Sequence, residues 1–229
     1  SGAQAHAAAD ASARSVTPPY EMQAPLPDLW KPFAKKFTKI TANEPFMRFV
    51  CPTSCPAYMF AAKHFRRTCP RRTLLRVELC VNLMRYDAYC MKKGVMNRGI
   101  ASGANEQIVF HGTDEDTIGK ICANGFDRSF STTAAYGTGT YFAHRAKYSA
   151  DPRYSKPNAR GEKRMLICRI LAGESCLGTP TMQRPHAKPS GVLHESMTND
   201  LSLTATPKIY VLSSGTDDCA YPEYLVTFT

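Results

Sequence analysis

The sequence predicts an α+β domain, and three observations carry that reading. Helical periodicity is concentrated in the first half of the chain, while the second half is built from β-branched and aromatic runs bounded by Gly, Pro or Asp. No apolar run approaches the roughly 20 residues of a membrane span, so no membrane partner is expected. The 229 residues, 43% hydrophobic and 10% aromatic, are too apolar for a disordered tail and sufficient for one large core.

Residues 1–25 are rich in Ala, Ser and Pro and read as a flexible leader or linker; the opening Ser1-Gly2-Ala3 fits a processed fragment. The domain, residues 26–229, begins at Leu26-Pro27-Asp28-Leu29-Trp30. Tyr58, Ala61, Ala62 and Phe65 recur at helical spacing until Cys69-Pro70 ends the run. Leu75, Val77 and Leu79 alternate as a strand does. Asn82 then offers an N-cap for a helix through Tyr86, Tyr89, Cys90 and Lys93 that Gly94 closes. Gln107 to Phe110 reads as a buried strand ending at His111-Gly112-Thr113, with Thr113 capping a short helix. Asp114, Glu115 and Asp116 suit the first turn of that helix, Ile118, Ile121 and Cys122 share one face, and Gly125 stops it. Strands follow at Thr140 to Ala143, Arg164 to Leu171, Lys208 to Ser213 and Tyr221 to Phe228, separated by polar loops over 151–163 and 177–207.

Lys and Arg number 29 against 19 Asp and Glu, a formal charge of +10. Such a balance favours anionic partners, nucleic acid among them. Nine scattered cysteines, an odd number, fit a reducing intracellular compartment, cytoplasmic or nuclear, better than a disulfide framework. Cys51 and Cys55, with His64 and Cys69 downstream, match no standard structural zinc spacing, and no metal is expected. His64, His144, His186 and His194 read as solvated surface residues.

Three features point to chemistry. His111-Gly112 stands at a strand end, the turn Tyr136-Gly137-Thr138-Gly139-Thr140 feeds Tyr141-Phe142, and Tyr148, Ser149 and Tyr154 lie just downstream. Glycine lets backbone approach a ligand closely, and tyrosine faces beside a serine hydroxyl suit a flat ring with an amide handle. Spacing alone favours a capped core histidine, a core tyrosine and ordinary turns.

Four collinear stretches resemble the poly(ADP-ribose) polymerase (PARP) family: Asn105 to Thr113, Tyr136 to Ala143, Tyr148 to Pro157, and Ala220 to Phe228. The similarity is greatest to the macrodomain-linked branch of mono-ADP-ribosyltransferases and runs from about Leu26 to Thr229. It implies a split, twisted antiparallel β-sandwich with flanking helices that holds NAD⁺ in a cleft. In that family His111 would bond an adenosine-ribose hydroxyl, and Gly112 and Ser149 would hold the nicotinamide carboxamide. Tyr141 and Tyr154 would sandwich the nicotinamide ring; Thr113, Arg128 and Tyr148 complete the implied cofactor set. Clamping ring and ribose would strain the glycosidic bond.

At the third catalytic position, where polymer-forming members carry Glu, the matching stretch Pro207-Lys208-Ile209-Tyr210 places Ile209. The resemblance therefore implies a His111, Tyr141, Ile209 pattern, single ADP-ribose transfer, and an acceptor carboxylate supplying the missing charge. The loop Asp127 to Ala135 is shorter than the family's and lacks its Gly-Lys, with Arg128 and Phe130 left to contact adenine. Thr138 replaces the usual Lys, and Leu79-Cys80-Val81-Asn82 keeps only the Asn of the family's lead-in. The expected partners are NAD⁺ and an acceptor macromolecule, protein first, with the enzyme a monomer. Two alternatives stay open: a nucleic-acid end as acceptor, or a pseudoenzyme whose altered loop no longer holds NAD⁺.

Overall fold

The computed structural model describes residues 20–41, 44–128, 134–202, 208–213 and 215–229. Residues 1–19 of the expected leader, Phe130 with the middle of the Asp127 to Ala135 loop, and Pro207 lie outside them. A 3₁₀ helix (Asp28–Lys39) comes first, then β1 (Met47–Val50), α1 (Pro56–Thr68), β2 (Leu74–Val81), α2 (Leu83–Gly99), β3 (Glu106–Gly112) and α3 (Glu115–Asn124). The second half holds β4 (Thr140–Ala143), α4 (Ala146–Ser149), β5 (Lys163–Leu171), β6 (Ser175–Leu177), β7 (Ser196–Thr198), β8 (Ile209–Leu212) and β9 (Ala220–Phe228).

Nine strands form one sheet in the order β1-β2-β9-β5-β3-β4-β8-β7-β6. All neighbours are antiparallel except the short pair β6 and β7. The expected α+β class is what the chain adopts. The joint between β3 and β4 is the sheet's weak seam. β3 pairs with β5 along its whole length, from Glu106 to Gly112, but with β4 only at Phe110 and Ala143. The ladder between the two strands is confined to that pair, and His111 and Gly112 follow it on β3.

Large side chains fill the core on the β3 side: Trp30, Phe65, Tyr89, Phe110, Tyr221 and Phe228 are each at most 1% exposed. A charged network lies within it. The buried Glu223 carboxylate accepts from Trp30 Nε1 at 3.1 Å and Arg169 Nε at 2.7 Å. Arg169 also faces Glu106, which accepts from Tyr89 Oη at 2.6 Å and Lys93 Nζ at 2.9 Å. Burial pushes the Glu223 carboxyl up from its ordinary value against the pull of Arg169. The pairing keeps a buried charge compensated.

Several local expectations shift. Gly94 does not end α2, which continues to Gly99. An interior glycine costs about 1 kcal/mol, which burying Met96 in the final turn offsets. Asp114, not Thr113, caps α3: its Oδ1 accepts from Thr117 N at 2.9 Å. β1, β6 and β7 were not foreseen, and the expected 177–207 loop is interrupted by β7. Residues at the end of the expected leader contact α2, where buried Asp87 accepts from Tyr20 Oη, Gln23 N and Ala24 N at 2.7–2.8 Å. His64 and His144 are half-buried rather than solvated, and the His64 ring lies 4.5 Å from that of Phe60.

Candidate active site

The site is assembled at the end of β3. His111 Nδ1 lies 2.9 Å from the Tyr141 carbonyl oxygen. A carbonyl only accepts, so Nδ1 carries the proton and Nε2 presents its lone pair. The ring is fixed by edge-on contacts with Phe126 at 5.2 Å and a tilted contact with Phe142 at 5.6 Å. Burial holds the imidazole below its ordinary value, partly offset by the bond to Tyr141. A neutral His111 with an Nε2 lone pair is the resulting state.

Gly112 is required by close approach. A Cβ there would come 2.5 Å from Ser149 O, 2.7 Å from Tyr154 Cβ and 3.0 Å from Ser155 Oγ. Any side chain would therefore push α4 away from β3. Ser149, at the end of α4, is buried and donates from Oγ to Phe110 O at 3.1 Å, which ties the helix to the strand. Its hydroxyl keeps lone pairs to accept from an amide, and rotation would turn its proton towards an amide oxygen. Ser155 is the positioning residue here: its Oγ lies 2.8 Å from Ser149 O and 2.7 Å from Arg164 O, clasping α4 to β5. In the sequence Ser155 stands only as one residue of the Tyr148 to Pro157 stretch. Its signal, a serine directly after a candidate ring-stacking tyrosine, is too common to single it out.

Tyr141 is anchored by the glycine-rich turn. Its Oη donates to Gly137 O at 2.6 Å and accepts from Tyr136 N at 3.0 Å. Gly137 has φ +104°, which L side chains rarely adopt, and a Cβ there would strike the Met197 thioether. Burial raises the Tyr141 hydroxyl above its ordinary value, keeping it protonated and able to donate. The rings of Tyr148 and Tyr154 stack at 5.1 Å and 25°, and their hydroxyls meet at 2.8 Å. Tyr148 thus braces Tyr154, a role that its motif position did not disclose.

Ile209 faces the same side as Tyr141. β4 pairs with β8 so that Tyr141 opposes Val211 and Ala143 opposes Ile209, and alternation puts all four on one face. Ile209 is 2% exposed, in a cluster with Met182, Met197 and Val211 against which Tyr136, Tyr141 and Tyr148 pack. Of the acids that follow Ile209 in the chain, Glu223 is bound in the core and Asp218 lies 3.7 Å from Arg85. Arg128 lines a shallow depression with Phe126, Thr140, Phe142, Leu212 and Ser213. Phe126 and Phe142 also touch His111, so the depression adjoins it. Thr113 is buried just past β3. Among the described residues, no group of three or more His, Cys, Asp or Glu could hold a metal, and no helix is long and apolar enough to cross a membrane.

A mostly antiparallel nine-stranded sheet with flanking helices, a buried imidazole held at Nδ1, an obligate glycine and a stacked tyrosine pair make up an α+β domain. The model of the poly(ADP-ribose) polymerase catalytic domain matches residues 59–227, and the chain belongs to that family. Over 180 residues, 76% of this chain and 10% of the relative, it is 35% identical to human protein mono-ADP-ribosyltransferase PARP14. Over 229 residues it is 28% identical to mouse protein mono-ADP-ribosyltransferase PARP11, covering 89% of this chain and 65% of that one. Human protein mono-ADP-ribosyltransferase PARP12 is 30% identical over 209 residues, 89% of this chain and 28% of that protein. The chain thus spans between a tenth and about two thirds of the length of these relatives.

Proposed function

We propose that this chain is an NAD⁺-dependent mono-ADP-ribosyltransferase that moves one ADP-ribose to a protein side chain and releases nicotinamide. NAD⁺ supplies the ADP-ribosyl group: the ribose C1′–nicotinamide bond breaks with its electron pair on nicotinamide, and an acceptor oxygen bonds C1′; an ionised carboxylate acceptor has no proton to lose, while a hydroxyl acceptor passes its proton to solvent.

The chain's own groups suit that reaction. The Gly112 backbone offers a donor and an acceptor to a carboxamide, with Ser149 beside it. Tyr141 and Tyr154 offer ring faces, Tyr148 holds Tyr154 in place, and His111 Nε2 accepts a ribose hydroxyl. Thr113 and Arg128 flank the adenosine side. The observation that carries single transfer is Ile209, buried on the face of Tyr141. A hydrocarbon there cannot polarise the hydroxyl of an attached ADP-ribose for a second round. The nine free cysteines support a reducing compartment, cytoplasmic or nuclear. We read the domain as residues 26–229 acting as a monomer, with 1–25 as its linker.

NAD⁺ at ~100 times its dissociation constant should stabilise the protein by ~2.7 kcal/mol in a thermal melt, with nicotinamide released over time. Stabilisation without release would favour a binding module, and neither would contradict the assignment of the cleft.

A further inference from the structure

β7, which no local pattern in the sequence announces, braces two positions of the candidate site at once. Its middle residue, Met197, is fully buried. The Met197 thioether fills the space beside Gly137, whose carbonyl accepts from Tyr141 Oη at 2.6 Å. The second position is Ile209. Between β4 and β8, His144 N donates to Lys208 O at 2.9 Å. Antiparallel bonding alternates, so the N–H and C=O of the next residue, Ile209, point away from β4 and toward β7.

The register of β7 with β8 ends at Thr198 and Tyr210. One step further, side chains take over from the ladder. Thr198 Oγ1 donates to Ile209 O at 2.7 Å, closer than its 3.2 Å approach to Asp200 O. Asn199 Oδ1 accepts from Ile209 N at 2.8 Å. Thr198 and Ile209 are both buried, so these main-chain groups rely on side-chain partners rather than on water. The Ile209 side chain is hydrocarbon and can make no hydrogen bond of its own. Its place in the cluster against which Tyr141 and Tyr148 pack is therefore set by packing and by its main chain.

We propose that Thr198 and Asn199 are positioning residues that hold the Ile209 side chain in place, so that ADP-ribose passes to the acceptor rather than to water. The inference rests on the transferase reading and concerns how that site chooses its nucleophile. In the competing reaction a water oxygen bonds C1′ as the nicotinamide bond breaks with its electron pair on nicotinamide. The water then loses a proton to solvent, and free ADP-ribose results. An apolar side chain tied down through both main-chain groups of its residue excludes water from the reacting centre, and a slack one admits it.

The test incubates the protein with NAD⁺ and an acceptor protein, and measures the ratio of free to protein-bound ADP-ribose per nicotinamide released. Thr198→Val keeps the side-chain shape and removes the hydroxyl; it should raise that ratio about three- to tenfold. Thr198→Ser keeps the hydroxyl and should hold the ratio within about twofold of the parent. Ser196→Ala is the control on the same strand, since it removes a buried Oγ bond of equal length, 2.7 Å, to Ala172 O rather than to Ile209. It should lower the melting temperature as Thr198→Val does, with the ratio within about twofold of the parent. An unmoved ratio in Thr198→Val, or an equal rise in Ser196→Ala, would overturn the proposal. Asn199→Ala decides the matter if Thr198→Val does not fold. It should speed hydrogen exchange at the Ile209 amide about tenfold and raise the ratio with it. Parental exchange at that amide, or faster exchange with an unmoved ratio, would overturn the positioning role. Absence of nicotinamide release from the parent would overturn the transferase reading itself, whereas release with an unmoved ratio overturns only the role of Thr198 and Asn199.

Discussion

On one side of the β3–β4 joint, the edge strand β1 has four residues, but β2, β9, β5 and β3 run eight, nine, nine and seven. On the other, β4, β8, β7 and β6 run only four, four, three and three. The long half encloses Trp30, Phe110 and Tyr221 and buries the Glu223–Arg169 pair. The short half packs around Ala143, Cys176, Met182, Met197, Ile209 and Val211, a satellite cluster of smaller or flexible side chains. His111 and Gly112 belong to the long half, Tyr141 and Ile209 to the short one. In the proposed reaction the long half would supply the floor under NAD⁺, and the short half would supply the apolar face that limits transfer.

The largest expected effect breaks the floor. Arg169→Ala leaves Glu223 buried without its cation and should cost ~3–5 kcal/mol in urea unfolding. Met197→Ala, in the lighter cluster, should cost about 2 kcal/mol and loosen the Gly137 turn that holds Tyr141. If the second variant proved the more damaging to stability, the two halves would have to be exchanged in this account.

His111→Ala separates chemistry from folding. It leaves a ribose hydroxyl unpaired, a loss of ~1–3 kcal/mol, so turnover should fall about five- to 150-fold with a near-parental melting temperature. Unfolding of this variant would instead make His111 a structural part of the joint.

What was legible in the sequence follows the same division. α1, α3, Asn82 and the strand into His111 were readable because caps, turn residues and apolar spacing are local signals. β1, β6 and β7 are short and gain their hydrogen bonds from distant strands, as Phe49 does from Leu79, so no local pattern announced them. Gly94 carried the usual stop signal, but tertiary burial of Met96 overrode it. Within the candidate site, motif positions point to His111, Gly112, Tyr141, Ser149, Tyr154 and Ile209. The His111–Tyr141 bond, the Tyr148 brace and the Ser155 clasp depend on three-dimensional juxtaposition and were not readable.

A smaller effect sharpens the roles of the two tyrosine faces. Tyr154→Ala removes one aromatic face and should weaken a benzamide-type ligand by ~0.5–1.5 kcal/mol beyond the loss of buried area. Ser149→Ala should also weaken it, with some loss of stability because Phe110 O loses its donor. Calorimetric titration showing parental affinity in both variants would mean that the nicotinamide slot lies elsewhere.

The mildest effect is on pH. His111 is depressed below its ordinary value of 6.5 by burial, so the folded state binds the proton more weakly than the unfolded chain. The stability it contributes is present above pH 6.5 and is lost as pH falls through the lowered value. Protonation also removes the Nε2 acceptor, so nicotinamide release should hold level from neutrality down and decline only below pH 6.5. An acid limb centred at or above that value would contradict the neutral, buried imidazole.

The central claim is that the apolar face around Ile209 limits the reaction to one transfer per site. Incubation of the protein with NAD⁺ and an acceptor protein, followed by intact-mass analysis over time, reads it directly. The account predicts discrete single ADP-ribose increments that map to separate residues and do not extend with further NAD⁺. A growing ladder of ADP-ribose units on one residue would contradict it.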